Sequence, residues 1–464
     1  MTQLAEALAA GAISSVELVE YYLDRITRLD NQLGAFRELY SQEALKAAKR
    51  ADQARTKNTV QGGLHGIPFA VKDLFDVAGK PTTAGTSLLN HNVAVDHAGT
   101  VDRLLAAGMI LLGKTNTVQF AYSGVGINSD HGTPHNPWAQ EHFVPGGSSS
   151  GSAVAVSAGL VPTALGTDTG GSVRIPAALT GITGLKTTVG QVSRNGVYPL
   201  SWSLDSVGPL TNSAMDAATL FGQLQGYDQA DPSTRDFVAQ DLANVDAPIT
   251  GMRIGIANGL LFDEVEDENI AAVHEAAAVF RELGAQVEEF DFPQAAQARA
   301  LNPNGLIIAA EAYAVNRQLV DDRFAELDPW VAPRVRAGKD INAADYAQQQ
   351  NAWQHLRMET IHALHDIDLL LAPTTQISAK SVEAITASTE EYSKHNLAYL
   401  RNTTIGNILN LCGLSVPSGT TSAGLPIGLM IYAKPFNEAR ALQAATAFQK
   451  ATDFHLRTPD LSWI

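Results

Sequence analysis

Between residues 122 and 196 the chain is dense in Gly, Ser, Thr and Pro, yet two apolar runs, 153–156 and 160–165, lie in the middle of that stretch. A disordered linker would lack such runs, because it has nothing to bury. The segment therefore reads as ordered loops threaded between buried elements. Any fold for this chain has to hold glycine-rich backbone inside a packed core. Residues 153–166, the most apolar stretch, are broken by Gly159 and Pro162. They read as a buried helix leading to a buried strand, and fall short of the ~20 residues a bilayer span needs.

The flanking sequence alternates helical and strand texture. Ser14 and Ser15 precede a run with Val16, Val19, Leu23, Ile26 and Leu29 on one helical face, with Glu17 in the first turn. A second helix is expected over 41–57, so that the first ~55 residues form a helical arm. Short apolar runs at 67–72, 109–112, 252–257, 285–292, 367–373, 414–417 and 426–433 read as strands. Helices are expected at 101–107, at 269–283 and through most of 303–366, with residues 330–333 (Trp-Val-Ala-Pro) as an interruption. This alternation predicts an α/β layer structure. No linker or solenoid repeat divides it. A single domain over 1–464 is expected, with a helical arm to about 60, a core over about 61–215, and a C-terminal half over about 216–464 that contains the 303–366 helical region.

Composition narrows the function classes. Acidic residues outnumber basic ones 48 to 32, for a net charge of −16. Such a surface repels phosphate backbones and anionic lipid, so neither direct nucleic-acid nor membrane binding is expected. Cys412 is the single cysteine, which excludes an intrachain disulfide and a multi-cysteine metal site; in Asn-Leu-Cys-Gly it reads as a small buried hydrophobe. The N-terminus has neither the basic region nor the long apolar region of a secretory signal, so a cytoplasmic location is expected.

The glycine-rich segment admits several chemistries. Residues 146–151 (Gly-Gly-Ser-Ser-Ser-Gly) resemble a phosphate loop but lack its terminal Gly-Lys-Ser/Thr. Residues 147–151 match a nucleophile elbow centred on Ser149, but the preceding Phe-Val-Pro is a poor strand. His131 and His135 stand four apart in a Gly-Thr-Pro loop, without the helical spacing of a metal site. A fourth arrangement joins three separated places: Lys72 in Val-Lys-Asp, Ser148 after Gly146-Gly147, and Ser172 after Gly170-Gly171. A serine needs a base to become a nucleophile. A lysine can be that base when burial leaves it neutral, and Lys72 ends an apolar run. Two glycines before a serine permit a nest of converging N–H donors for an oxyanion.

Residues 145–176 (PGGSSSGSAVAVSAGLVPTALGTDTGGSVRIP) closely resemble the signature of the amidase-signature hydrolases. Ordered matches continue along nearly the whole chain: LHGIPFAVKD around Lys72, GKTN at 113–116, GTPHNPW at 132–138, SLDSVGP at 203–209, LLLAPTT at 369–375 and GLPIGLMIYAKPFNEA at 424–439. The resemblance implies a large twisted mixed sheet with helices on both faces. It implies a Ser–cisSer–Lys triad, with Ser172 as nucleophile, Ser148 as bridging serine with a cis peptide bond, and Lys72 as general base; Ser148 and Ser172 lie at the family's usual interval of 24 residues. It assigns the backbone amides of Thr169, Gly170, Gly171 and Ser172 to the oxyanion hole, Asp168 and Arg174 to bracing of that loop, and Tyr122, Ser123 and Gly124 to the acyl pocket. The implied activity is hydrolysis of small-molecule amides, including aryl or alkyl amides and carbamates, with no metal or organic cofactor, in a chain that is often a homodimer. Within the family the alternative is the glutamine-hydrolysing component of a tRNA-dependent amidotransferase, though no Arg–Asp pair for the amino-acid zwitterion is identifiable in the sequence. A catalytically silent binding protein on this fold would require a damaged triad, and all three residues are present.

Overall fold

One eleven-stranded mixed sheet organises the computed structural model of the protein, which describes residues 1–302 and 305–464. Its strands are β1 (Phe36–Leu39), β2 (Pro68–Lys72), β3 (Ile110–Thr115), β4 (Thr163–Asp168), β5 (Thr183–Lys186), β6 (Ser206–Thr211), β7 (Arg253–Asn258), β8 (Gln286–Asp291), β9 (Leu369–Pro373), β10 (Cys412–Thr420) and β11 (Pro426–Ala433). Their order across the sheet is β1-β3-β2-β4-β6-β5-β10-β11-β9-β7-β8. Strands β2, β3 and β4 run parallel, as do β9, β7 and β8, and the intervening pairs are antiparallel. Every residue of β2, β3, β4, β5, β6, β9 and β11 is buried. A strand buried at each position is covered on both faces, which is why these segments lack polar alternation. Among the described residues no helix is long and apolar enough to cross a membrane.

The expected strands and helices occur, with boundaries shifted by a few residues. The helix Ser15–Leu33 begins at Ser14, which caps the Glu17 amide while the Glu17 carboxylate accepts from the Ser14 amide. The buried helix Ser150–Ser157 leads into β4, as the apolar runs within the glycine-rich stretch predict.

Two expectations need correction. The N-terminal segment is not wholly helical, because β1 pairs antiparallel with β3 at the sheet edge. It has four residues and half-exposed side chains, too few for a period to register. Residues 330–333 are not a simple interruption either: Pro333 sits in the first turn of a new helix, Ala332–Arg336, where its missing N–H has no helical partner to lose. The 303–366 region is otherwise helical over Leu306–Arg323 and Ala343–Ala363; its first two residues, 303 and 304, lie outside the described residues.

Strands β2 and β4 pair in parallel through Ala70 with Ala164 and Val71 with Leu165. Their C-terminal ends therefore emerge together, carrying Lys72 from one and Thr167-Asp168 from the other. The C-terminal ends of parallel strands are where loops and helix N-termini leave room for a ligand.

Candidate active site

Lys72, the last residue of β2, is wholly buried. Its Nζ lies 2.7 Å from Ser148 Oγ and 2.9 Å from Thr167 Oγ1. Burial pulls its ammonium down to about 7, against the opposing pull of Asp205 and Asp168. A lysine so placed is largely neutral just above neutral pH and can accept a proton.

Ser148 stands in the loop before the helix Ser150–Ser157. The Gly147–Ser148 peptide bond is cis. The loop is held on both sides: the Ser148 carbonyl accepts from Thr117 Oγ1 at 2.9 Å and from the Val118 amide at 3.2 Å. The next residue reaches the third place, since the Ser149 amide donates to the Ser172 carbonyl at 3.2 Å. The three segments singled out in the sequence are thus brought together. Ser149 itself turns away, its hydroxyl donating to the Thr167 carbonyl, and Ser149 does not reach the cavity described below.

The turn after β4 is organised by Asp168. Its two carboxylate oxygens accept from Arg174 Nη2 at 2.9 Å and Arg174 Nε at 3.0 Å, a bidentate pair with both side chains fully buried. Burial works against the Asp168 charge, but Arg174, Lys186 and Asn407 overcome it and hold the carboxyl at about 2. Arg174 is in turn held by Tyr432, Asn407 and the Thr403 carbonyl. Asp168 and Arg174, the residues expected to brace the loop, thus form a buried pair surrounded by Thr403, Asn407 and Tyr432.

Asp168 also accepts the Gly171 amide at 2.9 Å. That amide is therefore engaged, and among the described residues the amides of Thr169, Gly170 and Ser172 donate to no protein acceptor. Gly171 has φ +133°, and a Cβ there would overlap Thr403 Oγ1. Only glycine fits this turn. Gly171→Ala is expected to lower stability by about 1–3 kcal/mol through overpacking and to displace the turn; denaturant titration alongside an activity assay checks both.

In front of this turn opens a cavity of about 640 Å³. Ser172, Thr169, Gly170, Tyr122 and Ser123 line it, while Lys72 and Ser148 lie behind the wall. Gly124, expected beside them, is set back: its amide donates to Asn396 Oδ1 at 2.9 Å. Ser123 Oγ donates to the same oxygen and accepts from Tyr392 OH, on whose ring Trp330 stacks. Asn396, Tyr392 and Trp330 therefore fix the 122–124 loop. The region around Trp330 lines the cavity as well. Arg334 carries no signal in the sequence; its guanidinium lies 4.2 Å from the Tyr122 ring centroid and donates to the Tyr122 carbonyl.

A family model described as Amidase matches residues 17–442. The chain belongs to the amidase family. Its relatives differ in reaction. It is 37% identical to the A component of the glutamyl-tRNA(Gln) amidotransferase of Chromohalobacter salexigens, over 99% of this chain and 98% of that one. It is 34% identical to the 2-amino-5-chloromuconic acid deaminase of Comamonas testosteroni, over 94% and 92%. The solved structure of the peptide amidase of Stenotrophomonas maltophilia superposes with a TM-score of 0.85 at 30% identity, covering 99% of this chain and 98% of that one. These likenesses place the fold among the amidases.

Proposed function

We propose that this member of the family is an amidohydrolase that cleaves the C–N bond of small-molecule amides through a seryl acyl-enzyme. The observation that carries the reading is the contact between a buried Lys72 and Ser148, behind a cavity whose wall presents Ser172 and open backbone amides. Neutral Lys72 takes the Ser148 hydroxyl proton as Ser148 takes that of Ser172. Ser172 Oγ forms the bond to the amide carbon, and the amides of Thr169, Gly170 and Ser172, which donate to no protein acceptor among the described residues, receive the oxyanion. The C–N bond breaks as the proton returns through Ser148 to the leaving nitrogen. Water then cleaves the ester and releases the acid.

The sign of the pH dependence follows from the base. Protonated Lys72 cannot accept a proton, so activity belongs to the form present above about 7. On a neutral amide, kcat/KM is expected to rise about tenfold per pH unit on the acid side and level off above the Lys72 transition. A flat profile from pH 5 to 9 speaks against Lys72 as the base.

A second reading, the glutamine-hydrolysing component of an amidotransferase, is favoured by the relative in Chromohalobacter salexigens. A hydrolysis screen over anilides, aliphatic amides, dipeptide amides, carbamates and glutamine, run with a partner pull-down, separates the two. Glutaminase activity that appears only with a captured partner selects the second; turnover of other amides by the chain alone selects the first.

A further inference from the structure

The cavity in front of Ser172 carries a charge opposite to that of the chain. Acidic residues outnumber basic ones 48 to 32, yet the charged side chains in the wall are three arginines, Arg299, Arg334 and Arg401, and among the described residues no Asp or Glu lines it. The neighbouring carboxylates are engaged elsewhere: Asp168 with Arg174 and Asp205 with Thr169. Glu264 approaches Arg401 at 3.5 Å, but its side chain is 84% exposed to water, where an ion pair is worth little.

The three arginines are not equivalent. Arg334 is engaged with the Tyr122 ring and carbonyl. Arg401, in the helix Thr389–Ile408, donates to the Asp263 carbonyl and faces the exposed Glu264 carboxylate at 3.5 Å. Arg299, in the helix Gln294–Ala300, makes neither an ion pair nor a side-chain hydrogen bond among the described residues. The helices that carry Arg299 and Arg401 pack on each other, and both residues line the same cavity wall; the Arg299 charge acts on Arg401 against the opposing pull of Glu264 and Asp263. Like charges so placed are stabilised by an anion between them, and the guanidinium fork suits a carboxylate.

We propose that the cavity selects amides that carry a second, anionic group, a carboxylate without a neighbouring ammonium, and that Arg299 and Arg401 receive it. The simplest members of the class are the monoamides of dicarboxylic acids. A free amino acid amide such as glutamine fits less well, because its ammonium would face arginines with no carboxylate in the described wall to pair with. This inference deepens the amidohydrolase reading in that it takes the cavity before Ser172 as the substrate's seat.

The test is calorimetric binding to the full chain carrying Ser172→Ala, so that no turnover intervenes. The ligands are succinamate, glutaramate and adipamate, each beside the neutral alkanamide of equal chain length, with glutamine as the zwitterion. At least one monoamide is expected to bind about tenfold or more tighter than its neutral partner and than glutamine, with a preference that falls as salt rises. Adding Arg299→Gln, a substitution at an exposed residue, should abolish the preference and leave the affinity for the neutral amide unchanged; Arg401→Gln should weaken it in the same direction. Neutral amides binding as tightly, glutamine binding more tightly, no measurable binding by any ligand, or a preference intact in both arginine variants overturns the proposal. These affinities do not depend on Ser172 being a nucleophile, so a failure of the catalytic reading would appear in labelling of Ser172 and not here.

Discussion

Replacing Ser172 or Lys72 by Ala is expected to lower kcat by on the order of 10⁴-fold or more on any amide the enzyme turns over. In the proposed mechanism the two residues act as one unit. Ser172 lines the cavity, and buried Lys72, the proposed base, touches Ser148 at 2.7 Å. Without Ser172 there is no oxygen to attack; without Lys72 the proton has no acceptor. Groups that act as one unit are not additive, so the double variant should be little worse than either single one. Ser149→Ala separates this account from an elbow centred on Ser149. The Ser149 hydroxyl only donates to a backbone carbonyl, so its loss should leave kcat within a few fold. Progress curves on the best substrate of the hydrolysis screen supply the measurement, and a Ser149→Ala variant as inactive as Ser172→Ala would reverse the assignment.

The second large effect concerns stability. Arg174→Ala leaves Asp168 buried without its paired guanidinium, and removing one partner of a buried pair costs about 3–5 kcal/mol. Asp168 holds the Gly171 amide as well as Arg174, so the turn over residues 169–172 should lose its shape with the pair. Urea titration of the wild type and Arg174→Ala measures the first loss. Residual activity of the folded fraction measures the second. The pH dependence of this contribution has a definite sign. The carboxyl is held at about 2 in the folded chain against an ordinary 3.8. Its stabilisation is therefore complete above the unfolded value and lost as pH falls from about 4 towards about 2. An Arg174→Ala variant as stable as wild type at pH 7 would show that Asn407, which donates to Asp168, and Thr403, which donates to the Gly170 carbonyl, suffice to hold the turn.

Much of this site was legible because each of its separated parts is marked by its own short stretch of sequence. Lys72 closes an apolar run, and a lysine there is buried by the strand it ends. Gly146-Gly147 and Gly170-Gly171 announce two unusual turns before two serines, and Gly146 and Gly171 do adopt positive φ. The helix and strand around them followed from the apolar runs that first marked the segment as ordered. Thr167, the second partner of Lys72, was within reach as well, since it stands beside Asp168 at the end of β4. The residues that escaped come from far along the chain. Tyr432 meets Arg174 across 258 positions, Arg334 meets Tyr122 across 212, and Asn396 meets Ser123 across 273. Each sits in an unremarkable helix or strand, and only the sheet order and the packing of the helices bring it to the site. The edge strand β1 escaped for another reason. Four half-exposed residues carry no period, and their pairing with β3 is decided by the neighbouring strand.

The central claim is that Ser172 is the activated nucleophile. A fluorophosphonate probe, which bonds covalently to such a serine, tests it without knowledge of the substrate. After incubation with the full chain and proteolysis, mass spectrometry should place one adduct on Ser172, formed more slowly below pH 7, and absent in Ser172→Ala. An adduct on Ser149, or labelling that persists in Ser172→Ala, would contradict the account.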